Sequence, residues 1–308
     1  MLKRKDLLGI RDLSVDEMMT ILQRAESMKS IVTGKEPKSD LLKGKSAVTL
    51  FYENSTRTRM AFTMAGTYLG AYVTDLGVAS SSVQKGESLV DTGVTLDSMG
   101  IDYMIMRHGM SGAAHLLAKN VKASVINAGD GVNEHPTQAL LDLYTIYEKK
   151  GGFKDLKVTI VGDIAHSRVA RSNVFGLVKL GAKVTLAGPG TLTTKSMETL
   201  GCKVTTDVTA AVKEADIVMA LRIQLERQKG GLFPNLREYS QIYGLNTELF
   251  KEAAPEALLM HPAPVNRGVE LMPELMDSEV SVIDEQVTNG VAVRMAILAL
   301  LQEGRENK

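Results

Sequence analysis

Residues 47–59 read Ala47-Val48-Thr49-Leu50-Phe51-Tyr52-Glu53-Asn54-Ser55-Thr56-Arg57-Thr58-Arg59. Residues 47–51 are apolar or β-branched throughout, which predicts a buried strand, and the segment from Thr56 to Leu69 predicts a helix. A strand that feeds a helix through a short polar turn is the repeating unit of a parallel sheet covered by helices. The rhythm extends in both directions. Upstream, Ser14-Val15-Asp16-Glu17 is a capping box, with Met18, Ile21, Leu22, Ala25 and Met28 at helical spacing behind it.

Downstream, Tyr103-Met104-Ile105-Met106 and Ser124-Val125-Ile126 are two more strand-like runs. Pro136 suits the first turn of a helix, and Ala139, Leu140, Leu143, Tyr144 and Tyr147 mark that helix's apolar face. Lys149-Lys150-Gly151-Gly152 ends it and reads as a domain boundary. The rhythm then restarts. Strands are expected at Val158–Val161, Val184–Leu186, Lys203–Thr205, Ile217–Ala220 and Leu258–Met260, with helices after Gly162, near Lys195–Leu200 and from about Val287 to Leu301. With 308 residues, the chain is long enough for two tandem α/β domains.

Composition excludes several classes. Lys plus Arg number 36 and Asp plus Glu number 36, so the net charge is zero and a general polyanion or nucleic-acid binder is disfavoured. The 44% hydrophobic and 23% charged fractions argue against disorder. A single cysteine, Cys202, allows neither an intramolecular disulfide nor a Cys-rich zinc site, and makes a reducing, cytoplasmic compartment the default expectation. The start Met1-Leu2-Lys3-Arg4-Lys5 has no apolar run behind it, and no stretch is apolar for the length of a membrane span.

In open parallel sheets, ligands bind beyond the carboxyl ends of strands, so chemistry is sought in the residues that follow each one. After the first strand, Ser55, Thr56 and Thr58 bring hydroxyls and Arg57 and Arg59 bring guanidinium groups to a helix start. With the helix's own unpaired N–H groups they suit a phosphate-like dianion, although the Gly-rich run of a P-loop is missing. Arg107 and His108 follow the second strand, and His135-Pro136-Thr137-Gln138 follows a Gly-Asp-Gly turn after the third. An imidazole and a carboxamide at a helix start suit hydrogen bonds to a carbonyl and an amide.

Gly162-Asp163-Ile164-Ala165-His166-Ser167-Arg168 lacks the second and third glycines of a dinucleotide fingerprint, which disfavours a nicotinamide oxidoreductase, and offers Arg168 instead. Arg222 and Gln224 share a face of an extended chain, ahead of a loop at Gln228-Lys229-Gly230-Gly231 read as mobile. In His261-Pro262-Ala263-Pro264 the prolines lack N–H groups, so the turn has carbonyl oxygens to give an NH₂ group. Ser81 and Lys85 lie in a polar loop that alone reads as surface.

Taken in order, seven segments resemble the aspartate/ornithine carbamoyltransferase family, of the aspartate type, over nearly the whole chain. They are Ser55–Arg59, Lys85-Gly86-Glu87, Met106-Arg107-His108, His135–Gln138, Gly162–Arg168, Arg222-Ile223-Gln224 and His261–Pro264. Ornithine-type members carry a His-Cys-Leu-Pro turn in place of His261–Pro264, and an Asp-containing Ser-Met-Gly motif in place of Arg222–Gln224. Charge agrees with the aspartate type, because ornithine brings an ammonium whereas aspartate brings a second carboxylate that wants Arg.

The resemblance implies two tandem three-layer domains. Residues 1–135 would bind carbamoyl phosphate, 136–149 would form an interdomain helix and 150–286 would bind aspartate, with the C-terminal helix 287–303 packing back on the N-terminal domain. It implies that Ser55, Thr56, Arg57 and Thr58 hold the phosphate, and that Thr58, Arg107 and His135 bind the carbonyl oxygen. Gln138 and the carbonyls of Ala263 and Pro264 would take the NH₂, while Arg168, Arg222 and Gln224, helped by Lys85, would take the aspartate carboxylates. Ser81 and Lys85 match residues that reach a neighbouring subunit's site, which implies a homotrimer. Ala263 departs from the Leu of some members, and assembly with or without separate regulatory chains stays open. No metal, cofactor, nucleic acid or membrane is implied.

Overall fold

The computed structural model describes residues 2–78, 81–224 and 235–306. The loop Gln228–Gly231 lies outside them. The chain divides into two units, the first made of residues 1–144 and 288–308 and the second of residues 145–287.

The first unit begins with α1 (Val15–Val32), whose Ser14 and Glu17 form the expected capping box. Then come β1 (Ser46–Phe51), α2 (Thr56–Tyr68), β2 (Tyr72–Leu76), α3 (Leu89–Ser98), β3 (Tyr103–His108), α4 (Ala113–Asn120), β4 (Ser124–Asp130) and α5 (Pro136–Lys150), whose last turns belong to the second unit. The four strands form a parallel sheet in the order β2-β1-β3-β4. β1, β3 and β4 are almost wholly buried, as their continuous apolar runs require. β2 is an edge strand with Tyr72 exposed, and it has no apolar run to betray it.

The second unit contains β5 (Lys157–Val161), α6 (Arg168–Lys179), β6 (Lys183–Ala187), β7 (Lys203–Thr205), α7 (Val208–Val212), β8 (Ile217–Ala220), α8 (Leu236–Tyr243), α9 (Thr247–Phe250), β9 (Leu258–Met260) and α10 (Pro273–Met276). Its parallel sheet runs β7-β6-β5-β8-β9. The segment expected as a helix at Lys195–Leu200 is a short 3-10 helix. α11 (Ile283–Glu306) starts in this unit and ends in the first, extending the expected C-terminal helix at both ends. Its late turns join the first unit through Arg24–Glu303 at 2.8 Å and through Gln302, whose Oε1 accepts from the Tyr103 hydroxyl.

Each sheet reverses its strand order once. In the first the reversal lies between β1 and β3, and in the second between β5 and β8. At such a point the connections leave toward opposite faces and open a crevice beyond the strand ends.

Candidate active site

The first crevice is bounded by the turn after β1 and the end of β3, where Phe51 pairs with Arg107. Ser55 occupies the N-cap position of α2, yet its hydroxyl makes no capping bond. Thr56 and Arg57 are exposed in the first turn, and Thr58 is buried. Arg59 does not join them. It pairs with Asp75 of β2 at 3.0 Å and lies over the Phe51 ring, so the expected pair of guanidinium groups reduces to Arg57.

Arg107 is aimed by Glu53, whose Oε2 accepts from Arg107 Nε at 3.2 Å. The neighbouring His108 has a structural place. Its Nδ1 accepts from Met110 N at 2.9 Å, its ring packs on Tyr52, and burial pulls its pKa below the usual value.

The segment that delivers His135 is built around two buried carboxylates. Asp130 accepts from Gly112 N, Asn127 Nδ2, Asn133 Nδ2 and Glu134 N, and Glu134 accepts from Ile10 N at 2.6 Å. His135 is itself buried, with Nδ1 3.5 Å from Thr137 Oγ1, and its carbonyl accepts from Gln138 N. The sequence signalled a turn here, but not that Asp130 is its hub. Gln138 donates from Nε2 to Asp142 Oδ1 at 3.0 Å.

At the second crevice, Gly162 has φ +136°, and a Cβ there would sit 2.6 Å from the Leu221 carbonyl oxygen. That approach brings the ends of β5 and β8 together. Asp163, fully buried, bridges them: Oδ1 lies 2.8 Å from His166 Nδ1, and Oδ2 accepts from Gln224 N at 3.2 Å. Arg222 Nη2 donates to Gln224 Oε1 at 3.2 Å, so the two residues expected on one face are in contact. Arg168 opens α6 and is buried.

The His261 turn is fixed from both sides. His261 N donates to Gln286 Oε1 at 3.0 Å, Ala263 N donates to His261 Nδ1 at 2.8 Å, and Nε2 lies 3.4 Å from Glu270. Pro264 is exposed. In the remaining loop, Ser81 caps a 3-10 turn at Ser82–Lys85, and Lys85 is exposed. Among the described residues, no group of three or more His, Cys, Asp and Glu is placed to hold a metal ion, and no helix is long and apolar enough to cross a membrane.

Two family descriptions match the chain: the aspartate/ornithine carbamoyltransferase carbamoyl-P binding domain over residues 5–148, and the Asp/Orn binding domain over residues 154–301. The chain belongs to the aspartate/ornithine carbamoyltransferase family. Among its relatives in this family, the aspartate carbamoyltransferase catalytic subunit of Ruminiclostridium cellulolyticum is 62% identical over 97% of this chain and 96% of the relative. That of Acetivibrio thermocellus is 61% identical over the same shares.

Two solved structures show how far the fold alone discriminates. Aspartate transcarbamoylase from Trypanosoma cruzi, in complex with carbamoyl aspartate and phosphate, superposes with a TM-score of 0.86 at 28% identity, covering 96% of this chain and 95% of that one. Ornithine carbamoyltransferase from Pyrococcus furiosus superposes with a TM-score of 0.87 at 32% identity, covering 97% of both. The carbamoyltransferase fold is common to both acceptors, so the acceptor must be read from side chains and from the closer relatives.

Proposed function

We propose that this chain transfers the carbamoyl group of carbamoyl phosphate to the amine of L-aspartate, giving N-carbamoyl-L-aspartate and phosphate, in de novo pyrimidine biosynthesis. The observation that carries the choice of acceptor is the second crevice, where Arg222 and Gln224 are in contact and Asp163 ties them to the turn leading to Arg168. Guanidinium groups there suit the two carboxylates of aspartate and repel the ammonium of ornithine.

The reaction needs two anions held in register and a place for developing negative charge. Ser55, Thr56, Arg57 and Thr58 bind the phosphate at the start of α2, where helix N–H groups add donors. The aspartate amine attacks the carbamoyl carbon and forms a tetrahedral intermediate whose oxygen carries the charge. Thr58, Arg107 and His135 donate to that oxygen. When Thr137 Oγ1 donates a hydrogen bond to Nδ1 of His135, the ring proton sits on Nε2, which becomes the donor. The C–O bond to phosphate then breaks, the phosphate leaves with the electron pair, and it takes up the proton that the former amine gives up. Gln138 and the carbonyls of Ala263 and Pro264 hold the NH₂. Arg168, Arg222 and Gln224 hold the acceptor.

Ser81 and Lys85 serve the site of a neighbouring subunit, so the working assembly is a cytoplasmic homotrimer. The exposed position of Lys85 on a short turn capped by Ser81 supports this, because a buried loop could not reach another chain. The assay is product formation with L-aspartate and L-ornithine supplied together. N-carbamoyl-L-aspartate should dominate, and preferential citrulline formation would overturn the choice of acceptor.

A further inference from the structure

Gln138 has a buried partner on its own helix. Asp142 lies one turn along α5, is fully buried and accepts from Gln138 Nε2 at 3.0 Å. A carboxylate can only accept, so it selects one of the two amide orientations. The nitrogen faces Asp142, and Oε1 is left on the opposite edge of the amide. An NH₂ group of a ligand needs that acceptor, and the flipped amide would present a donor to a donor.

Arg294 of α11 lies within electrostatic reach of Asp142. Arg294 is buried in the same unit, with Nη1 donating to Gly290 O at 2.6 Å and the guanidinium 5.2 Å from the centroid of the Phe62 ring on α2. Burial draws its pKa down to about 10, and the charge of Asp142 acts against that fall. Gly290 gives the guanidinium its room: a Cβ there would lie 2.8 Å from Nη1 and 3.2 Å from Leu141. A cation buried so completely beside α5 has the Asp142 charge as its compensation.

We infer that Asp142 is a positioning residue for carbamoyl transfer, fixing the Gln138 amide with Oε1 toward the carbamoyl NH₂. This rests on the proposed role of Gln138, and the test separates the two.

Steady-state turnover of carbamoyl phosphate with L-aspartate is measured for the full chain, for Gln138→Ala, for Asp142→Asn and for the double variant, with circular dichroism as the check on folding. Asp142→Asn should lower kcat/KM for carbamoyl phosphate by roughly ten- to a hundredfold, the usual scale for losing a residue that orients a binding group. Aspartate saturation should be almost unchanged. Added to Gln138→Ala, the same substitution should cost nothing more, because no amide remains to be oriented. A purely structural role predicts the same loss in both backgrounds, and that result overturns the inference. Should Asp142→Asn not fold, Asp142→Ser enters the same cycle with the same expectation. If neither folds, Asp142 is structural and the inference falls. A wild-type chain without turnover removes the functional reading, and an unimpaired Gln138→Ala removes the role of Gln138. Additive losses in an active enzyme remove only the positioning role.

Discussion

Arg57 and Arg59 stand two positions apart at the start of one helix, and their environments differ. Two positions are about 200° of rotation, so the side chains leave opposite sides of α2. Arg59 goes to Asp75, while Arg57 is exposed in the first turn. In the sequence the two stand together, and nothing there marks Asp75, on the edge strand β2, as the partner of Arg59. Glu53, by contrast, was in plain sight beside the strand, yet nothing in its type or spacing said that it would aim Arg107. Catalytic candidates were legible at this scale, and the residues that orient them were not, because orientation depends on partners distant in the chain. His135→Ala and Arg107→Ala should each lower kcat by on the order of 10²–10³ with the fold intact, as expected for loss of an oxyanion donor. Arg222→Ala should instead raise the aspartate concentration needed for half-saturation and leave that for carbamoyl phosphate nearly unchanged. His108 gives a pH test. Its folded pKa lies below its ordinary value, so the unfolded chain takes up a proton first as the medium is acidified. Denaturant midpoints should hold above about pH 6.5, the unperturbed histidine value, and fall below it. His108→Gln should flatten that slope.

Elements differ in how plainly they announce themselves. β1, β3, β4, β5 and β8 are buried on both faces and appear as unbroken apolar runs, so the sequence exposed them. β2, half in solvent, gave neither a run nor a clean alternation. α3 and α4 escaped because both are short. What no element reveals alone is its neighbour. The strand order that puts β1 beside β3 and β5 beside β8 had to be seen, and those pairings are what turn separate motifs into two crevices. Gly162 guards the second pairing. Gly162→Ala meets both a positive φ and the Leu221 carbonyl, so chemical denaturation should show a loss of about 1–3 kcal/mol or more. Aspartate use should suffer along with stability, since the β8 end carries Arg222.

At the scale of the whole molecule, a net charge of zero coexists with Arg57, Arg107, Arg168 and Arg222 at the crevices. The sum over the surface says nothing of the sign at a site, and a small anion responds to the latter. Subunit sharing is testable by mixing. Lys85→Ala and His135→Ala should each be nearly inactive alone. Unfolded together in equal amounts and refolded, they should recover roughly a quarter of native activity, since every mixed ring of three holds one junction with both native residues. No recovery would remove Lys85 from the neighbour's site. The first unit also has an uneven origin along the chain. Leu7 hydrogen-bonds beside β4, whereas Glu303, which pairs with Arg24, lies almost three hundred residues later. The second unit is continuous in sequence. A ribosome making this chain therefore releases everything the second unit needs while the first still waits for its final helix. Newly made protein must hold a sheet whose strands are all made but whose last covering helix is missing until α11 emerges, and a chaperone that guards nascent chains would find its work there.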